Sequence, residues 1–395
     1  MKKGTRATKL VSLALAASVL ATMGTGLGAS AAVPSEDGQY IVPEQSTFFA
    51  YADIEERGTQ HVDGSDGDLW PAAWADDGYL YTANGDGKGF GDTWQDLWVN
   101  RIDGVPGEDG SGVASMSGIN LTNNASQVWS GPSYNRKPTG MVAVGNTLYL
   151  AVQDLNCSGG NNSFNDAPAA TICKSTDMGQ TWEWDTSGPM FEDLFTTIMF
   201  LDYGQGGREV PTEYDGYVYA YGLDYNWRTS YNDAVPDPTE LFLARVPKDS
   251  IMDRSTWEFY AGDLEGNASW TKDISQKKPV MRDDSVVYAR GTTGLADDFK
   301  FQDCTIPSQG SIVYNKALNR YLYSAWTEYT FEFYESPTPY GPWKKFLSKD
   351  YGGYNWMPEK NGGYATTIPS KFISDDGLTM WVQSNTFEGG ASNYQ

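Results

Sequence analysis

The amino-acid sequence predicts an all-β protein, a β-propeller of five four-stranded antiparallel blades. Its apolar runs are short and end at Gly, Pro, Asn or Asp, the residues that punctuate strands. The chain holds 43 Gly and 19 Pro in 395 residues. A hairpin pattern recurs: Leu80-Tyr81-Thr82 lies over Leu148-Tyr149-Leu150, Val218-Tyr219-Ala220, Leu322-Tyr323-Ser324 and Met380-Trp381-Val382. The copies stand 58 to 104 residues apart, room for four strands in each repeat, which is the spacing of propeller blades.

Residues 1–32 read as a secretory signal peptide: a basic head, an apolar core from Leu10 to Leu20 and a small-residue end at Ala29-Ser30-Ala31-Ala32. The mature chain, 33–395, reads as one propeller domain, with 45–60 as a closing strand and lead-in. Residues 46–52 are expected to pair with the fifth blade, which ends without outer strands. Without the leader, 24 basic residues face 51 acidic ones, a formal charge of −27. Such a field disfavours nucleic acid and anionic lipid and suits a neutral substrate or a cation. With the leader and no later apolar span, the expected product is secreted and not inserted in a membrane, and a monomer is expected. Of three cysteines, Cys157 and Cys173 bracket a Gly/Asn/Ser-rich loop and are expected to bond, leaving Cys304 as a thiol.

The first hairpin surrounds Asp76-Asp77-Gly78, a three-residue turn ending in Gly. A register symmetric about Asp77 places Asp68 opposite Asp86, so two carboxylates project from one face. Facing carboxyls leave room for a water, which favours an inverting glycosidase geometry. The position six residues beyond Leu80 is acidic in four copies, Asp86, Asp154, Asp224 and Glu328, and these acids are expected to ring one mouth of the channel with Asp68. Capping of turns is the plainer reading of each acid taken singly. Trp70, Trp74, Trp94, Trp227 and Trp326 fall near that mouth and are candidate sugar-stacking surfaces, although most propeller aromatics pack between blades. Arg136 and Lys137 precede the second blade and can bind hydroxyls or tune a carboxylate. The lone His61 disfavours a multi-histidine zinc site. No cofactor is required; the acidic run 63–68 leaves Ca²⁺ open without matching an EF-hand loop.

Third and fourth strands repeat too, as Leu97–Arg101 beside Leu241–Arg245 and Thr181–Trp184 beside Thr256–Phe259. Ser175-Thr176-Asp177-Met178-Gly179-Gln180-Thr181-Trp182 matches the Asp box of carbohydrate-active propellers, a structural turn.

Gly67-Asp68, Gly85-Asp86, Lys137–Met141, Ser175–Trp182, Leu243–Pro247 and Tyr340–Trp343 together resemble a secreted propeller family long labelled a domain of unknown function, over residues 60–395. Its members include endo-D-arabinanases of mycobacterial-type cell walls. The resemblance implies that Asp68 and Asp86 are the catalytic pair. Trp70 stands where the family motif has Gly, and Gly87 where it has Thr, which marks a divergent branch. The expected function is a glycoside hydrolase on a neutral polysaccharide or oligosaccharide, an arabinan-type furanoside polymer among the substrates implied. The rivals are a polysaccharide lyase, which needs a basic site with Arg136, Lys137, Arg228 or His61, and a glycan-binding propeller without chemistry.

Overall fold

The computed structural model describes residues 39–54, 64–107, 116–121, 124–129, 135–155, 166–229, 237–287, 304–327, 330–350 and 365–385. The leader, His61, Cys157 and Glu328 lie outside them. Among the described residues the regular structure is mostly β-strand, with short 3-10 turns between strands; α1 (Asn226–Thr229) is a single turn.

Four antiparallel meanders follow one another. The first has β1 (Asp66–Asp68) and β2 (Ala72–Trp74) end to end along β3 (Leu80–Gly89), then β4 (Gln95–Gly104) and β5 (Met116–Asn120). The second runs through β6 (Arg136–Val144), β7 (Thr147–Asp154), β8 (Ala169–Ser175) and β9 (Phe191–Glu192). The third takes β10 (Thr197–Asp202), β11 (Tyr217–Leu223), β12 (Glu240–Pro247), β13 (Glu258–Tyr260) and β14 (Trp270–Thr271), with β15 (Pro279–Arg282) also on β12. A small pair, β16 (Val286–Val287) and β17 (Cys304–Thr305), precedes the fourth: β18 (Ser311–Asn315), β19 (Arg320–Trp326), β20 (Thr330–Ser336) and β21 (Lys344–Asp350). The repeated hairpin motif falls on β3, β7, β11 and β19, the second line of each meander. Its last copy, in 365–385, makes the bridges Thr367↔Gln383 and Ile373↔Met380. β10 and β18 pair in parallel at Leu201↔Ile312 and Asp202↔Val313, which joins the third and fourth meanders into one sheet.

The core lies between successive meanders. Leu97, Val99, Leu148 and Leu150 pack between the first and second, and Ile172, Phe200, Val218 and Trp257 between the second and third. Tyr221, Leu243, Ile312 and Tyr323 fill the third and fourth, where Ile368, Met380 and Val382 also pack. Phe372 and Trp381 meet Leu80 and Ile102 of the first meander. Residues 71–72, 139–141, 199–200 with 202, 310–312 and 367–369 all contribute to the lining of one small cavity.

Two sequence expectations are corrected. The N-terminal segment joins the fourth meander: Gln45 bridges Lys345 on β21, Ser46 N donates to Lys345 O (2.7 Å) and Ser46 Oγ to Glu335 Oε1 (2.6 Å). β21 is the outer strand of its meander and offers an edge that needs covering. Cys173 is a free thiol within β8, opposite Leu150 and buried in the core, and burial pushes its pKa up. Its side chain belongs to the packing between meanders and is not bonded there; Cys157, the expected partner, lies outside the described residues.

Candidate active site

The hairpin that carries the acids is symmetric only near its turn. Trp74↔Leu80, Ala73↔Tyr81 and Ala72↔Thr82 keep the expected register, and Gly78 closes the turn at φ 88° while Asp77 accepts from Tyr79 N and Tyr81 Oη. Upstream of Pro71 the pairing slips. Leu69 and Trp70 turn left-handed (φ 73° and 44°), Trp70 N donates to Asp68 O, and Asp68 comes to lie opposite Gly85. The predicted Asp68–Asp86 facing pair is therefore replaced by an offset pair.

Gly85 is where the site assembles. A Cβ there would lie 2.4 Å from Asp68 Oδ1 and 3.0 Å from Lys137 Cδ, so the space its missing side chain leaves is taken by a carboxyl and a lysine stem. Asn84, fully buried, donates to Gly85 O (3.2 Å) and accepts from Asn100 Nδ2 (2.8 Å), which fixes this bend of β3. Asp86 follows at φ 36°, a left-handed conformation that Asp tolerates better than most residues. β6 supplies Lys137, whose Nζ donates to Asp86 Oδ1 (2.5 Å) and Asn135 Oδ1 (2.8 Å). Asp68 is 3% exposed, the Lys137 side chain 3% and that of Asp86 18%, so Asp86 is the most accessible of the three.

The remaining candidates separate by burial. Trp94, in the β3–β4 connection, is 57% exposed and free to meet a ligand. Trp70 is buried against Phe90 with its Nε1 on Gly67 O, and Trp74 packs beside Leu80 and Ile102. Trp227 and Trp326 sit in the core of the third and fourth meanders; Trp326 Nε1 donates to Gln309 O. Trp70, Trp227 and Trp326 are buried and Trp74 is partly buried, so none of the four offers the open face that Trp94 does. Arg136 pairs with Asp96 (2.6 Å) and donates to Trp129 O. Asp154 accepts from Asn135 N, and Asp224 from Phe195 N and Lys277 Nζ (both 2.8 Å). Two acids of the expected ring thus cap backbone groups of their neighbours, and Glu328 lies outside the described residues. Within the acidic run, Asp66 accepts from Lys88 N. Among the described residues no group of three His, Cys, Asp or Glu is placed to hold a metal ion.

A family model described as Domain of unknown function (DUF4185) matches residues 67–364. The chain belongs to this family. The DUF4185 match begins at Gly67, one residue before Asp68, and spans every described residue of the site. No curated protein matches the chain significantly. Among solved structures it is similar to a xylan β-1,4-xylosidase from Bacillus halodurans (10% identity, 84% of this chain and 51% of that one, TM-score 0.45). It is also similar to CoXyl43, a β-xylosidase/α-arabinofuranosidase from a compost metagenome (14%, 90% and 98%, 0.42), and to a GH43_1 enzyme from Xanthomonas citri (14%, 77% and 79%, 0.39).

Sequence reasoning missed Asn84, Asn100 and Asn135 in this DUF4185 site, and it named Gly85 only as part of a motif. Gly85 had a signal, since a Gly beside an acid inside a strand marks a close approach. The asparagines had little, because a buried Asn is recognised by the partners that satisfy it.

Proposed function

We propose that the protein is an exported glycoside hydrolase on a five-bladed propeller, acting on a neutral polysaccharide such as an arabinan-type furanoside. One observation carries it: two carboxyls meet around Gly85 in unlike settings, Asp68 buried and Asp86 clamped by an ammonium. The two carboxyls differ in exposure and in hydrogen-bond commitment, Asp86 Oδ1 being held by Lys137 Nζ, so they can take unlike roles in an acid–base pair. Asp68 is assigned the acid that protonates the glycosidic oxygen as its bond to the anomeric carbon breaks. Asp86, with Oδ1 taken by Lys137, uses Oδ2 to accept a proton from the water that attacks that carbon. Direct attack inverts the anomeric centre. Trp94 is the exposed surface on which a sugar ring can stack. The five-fold reading is supported by the five segments that line one cavity and by 365–385 packing against both the fourth and first meanders. A lyase is less well served, since Lys137 and Arg136 are committed to carboxylates.

The test is incubation with a panel of plant and bacterial wall polysaccharides, reading reducing ends, ultraviolet absorbance and the anomeric configuration of fresh products. Reducing ends without unsaturated uronate are expected. Asp68→Asn and Asp86→Asn should each lower kcat by at least ~10²-fold while the fold is kept; near-normal turnover in both would remove them from the chemistry.

A further inference from the structure

We propose that Asn135 and Lys137 are positioning residues, Asn135 orienting the Lys137 ammonium and the ammonium setting the Asp86 carboxylate, an inference that rests on the hydrolase reading above. Residues 135 and 137 are two apart in extended chain, so their side chains share a face. Pro138 favours extended backbone at Lys137. The backbone of Asn135 is held on both sides by the end of β7: its N–H donates to Asp154 Oδ1 (3.1 Å) and its carbonyl accepts from Leu155 N (2.9 Å). From that anchor its Oδ1 reaches Lys137 Nζ (2.8 Å), and Nζ reaches Asp86 Oδ1 (2.5 Å).

A buried ammonium must be paired and hydrogen-bonded, and a lysine has many rotamers to lose. The Lys137 stem is confined against Gly85, and a second acceptor at Asn135 directs the donors of Nζ. The second meander thereby sets the orientation of a carboxylate carried by the first. A general base must lie within hydrogen-bond reach of its water, and misplacement by about 1 Å can cost ~10²-fold in rate.

The test compares Asn135→Leu, which keeps the size but loses the acceptor, with Asn135→Asp, which keeps the acceptor. On a glycan that the wild type cleaves, Asn135→Leu and Lys137→Met should lower kcat by roughly 10- to 100-fold with KM within about threefold, and Asn135→Asp should recover most of the loss. A purely structural role would lower the melting temperature without this split or this rescue. Independently of activity, ¹⁵N-lysine spectra should show a slowly exchanging buried ammonium that moves in both Asn135→Leu and Asp86→Asn. Unchanged kcat in Asn135→Leu, or no such ammonium in the wild type, overturns the proposal. If no glycan is cleaved, the hydrolase reading fails, while the ammonium signal still decides whether Asn135 and Asp86 hold Lys137.

Discussion

At Gly85 a single hydrogen separates a paired strand from the carboxyl of Asp68, and a methyl in its place would meet Asp68 Oδ1 at 2.4 Å. The atom in the way is the end of a side chain, so the carboxyl can move at less cost than the backbone. Gly85→Ala should fold with a melting temperature within a few degrees of wild type and still lose about 10-fold or more in kcat. Calorimetry and reducing-end assays on the same preparation check it, and full activity would mean that the position of Asp68 is not critical. Asp154 offers a test by pH. Burial raises its pKa from 3.8 to about 6, helped by Asp166 and opposed by the Asn135 N–H and Arg136. The folded state therefore holds this proton more tightly than the unfolded chain. Its contribution to stability is full below about pH 4 and is lost as pH rises through about 6. Asp154→Asn keeps the oxygen that caps Asn135, and its melting temperature relative to wild type should climb between pH 4 and 7. A difference independent of pH would contradict this.

Among the elements, β6 and β10 approach so closely that a Cβ on Gly140 would come 2.6 Å from Ile198 O and 2.9 Å from Phe200 N. Both obstacles are backbone, so Gly140→Ala should destabilise by about 1–3 kcal/mol, read by denaturant melts; a neutral outcome would show that the two strands can part. The contrast with Gly85 illustrates what is legible in this chain. The Asp77 turn and the second-line strands were readable because turn chemistry and alternation act over a few residues. The slip at Leu69–Pro71 was not, because two non-glycine residues are held left-handed by packing around Trp70. The tryptophans marked an aromatic-rich fold, yet a Trp at a mouth and a Trp between sheets share one local pattern. The capping roles of Asp154 and Asp224 were not legible, because their partners, Asn135, Phe195 and Lys277, lie 19 to 53 residues away.

For the whole molecule, the main-chain bonds between β10 and β18 leave the third and fourth meanders without an independent boundary. The other neighbouring meanders meet chiefly through side chains. Local opening follows the seams with the fewest shared amide bonds. In hydrogen–deuterium exchange, the amides of β10, β11, β18 and β19 should be released together as one cooperative unit, and those of the first meander and 365–385 earlier. Separate release of β10 and β18 would show that their pairing does not couple the two halves. Asp86, on the first meander, and the long paired sheet then sit at opposite ends of a gradient in opening free energy, so the Gly85 bend belongs to the part of the molecule expected to breathe first.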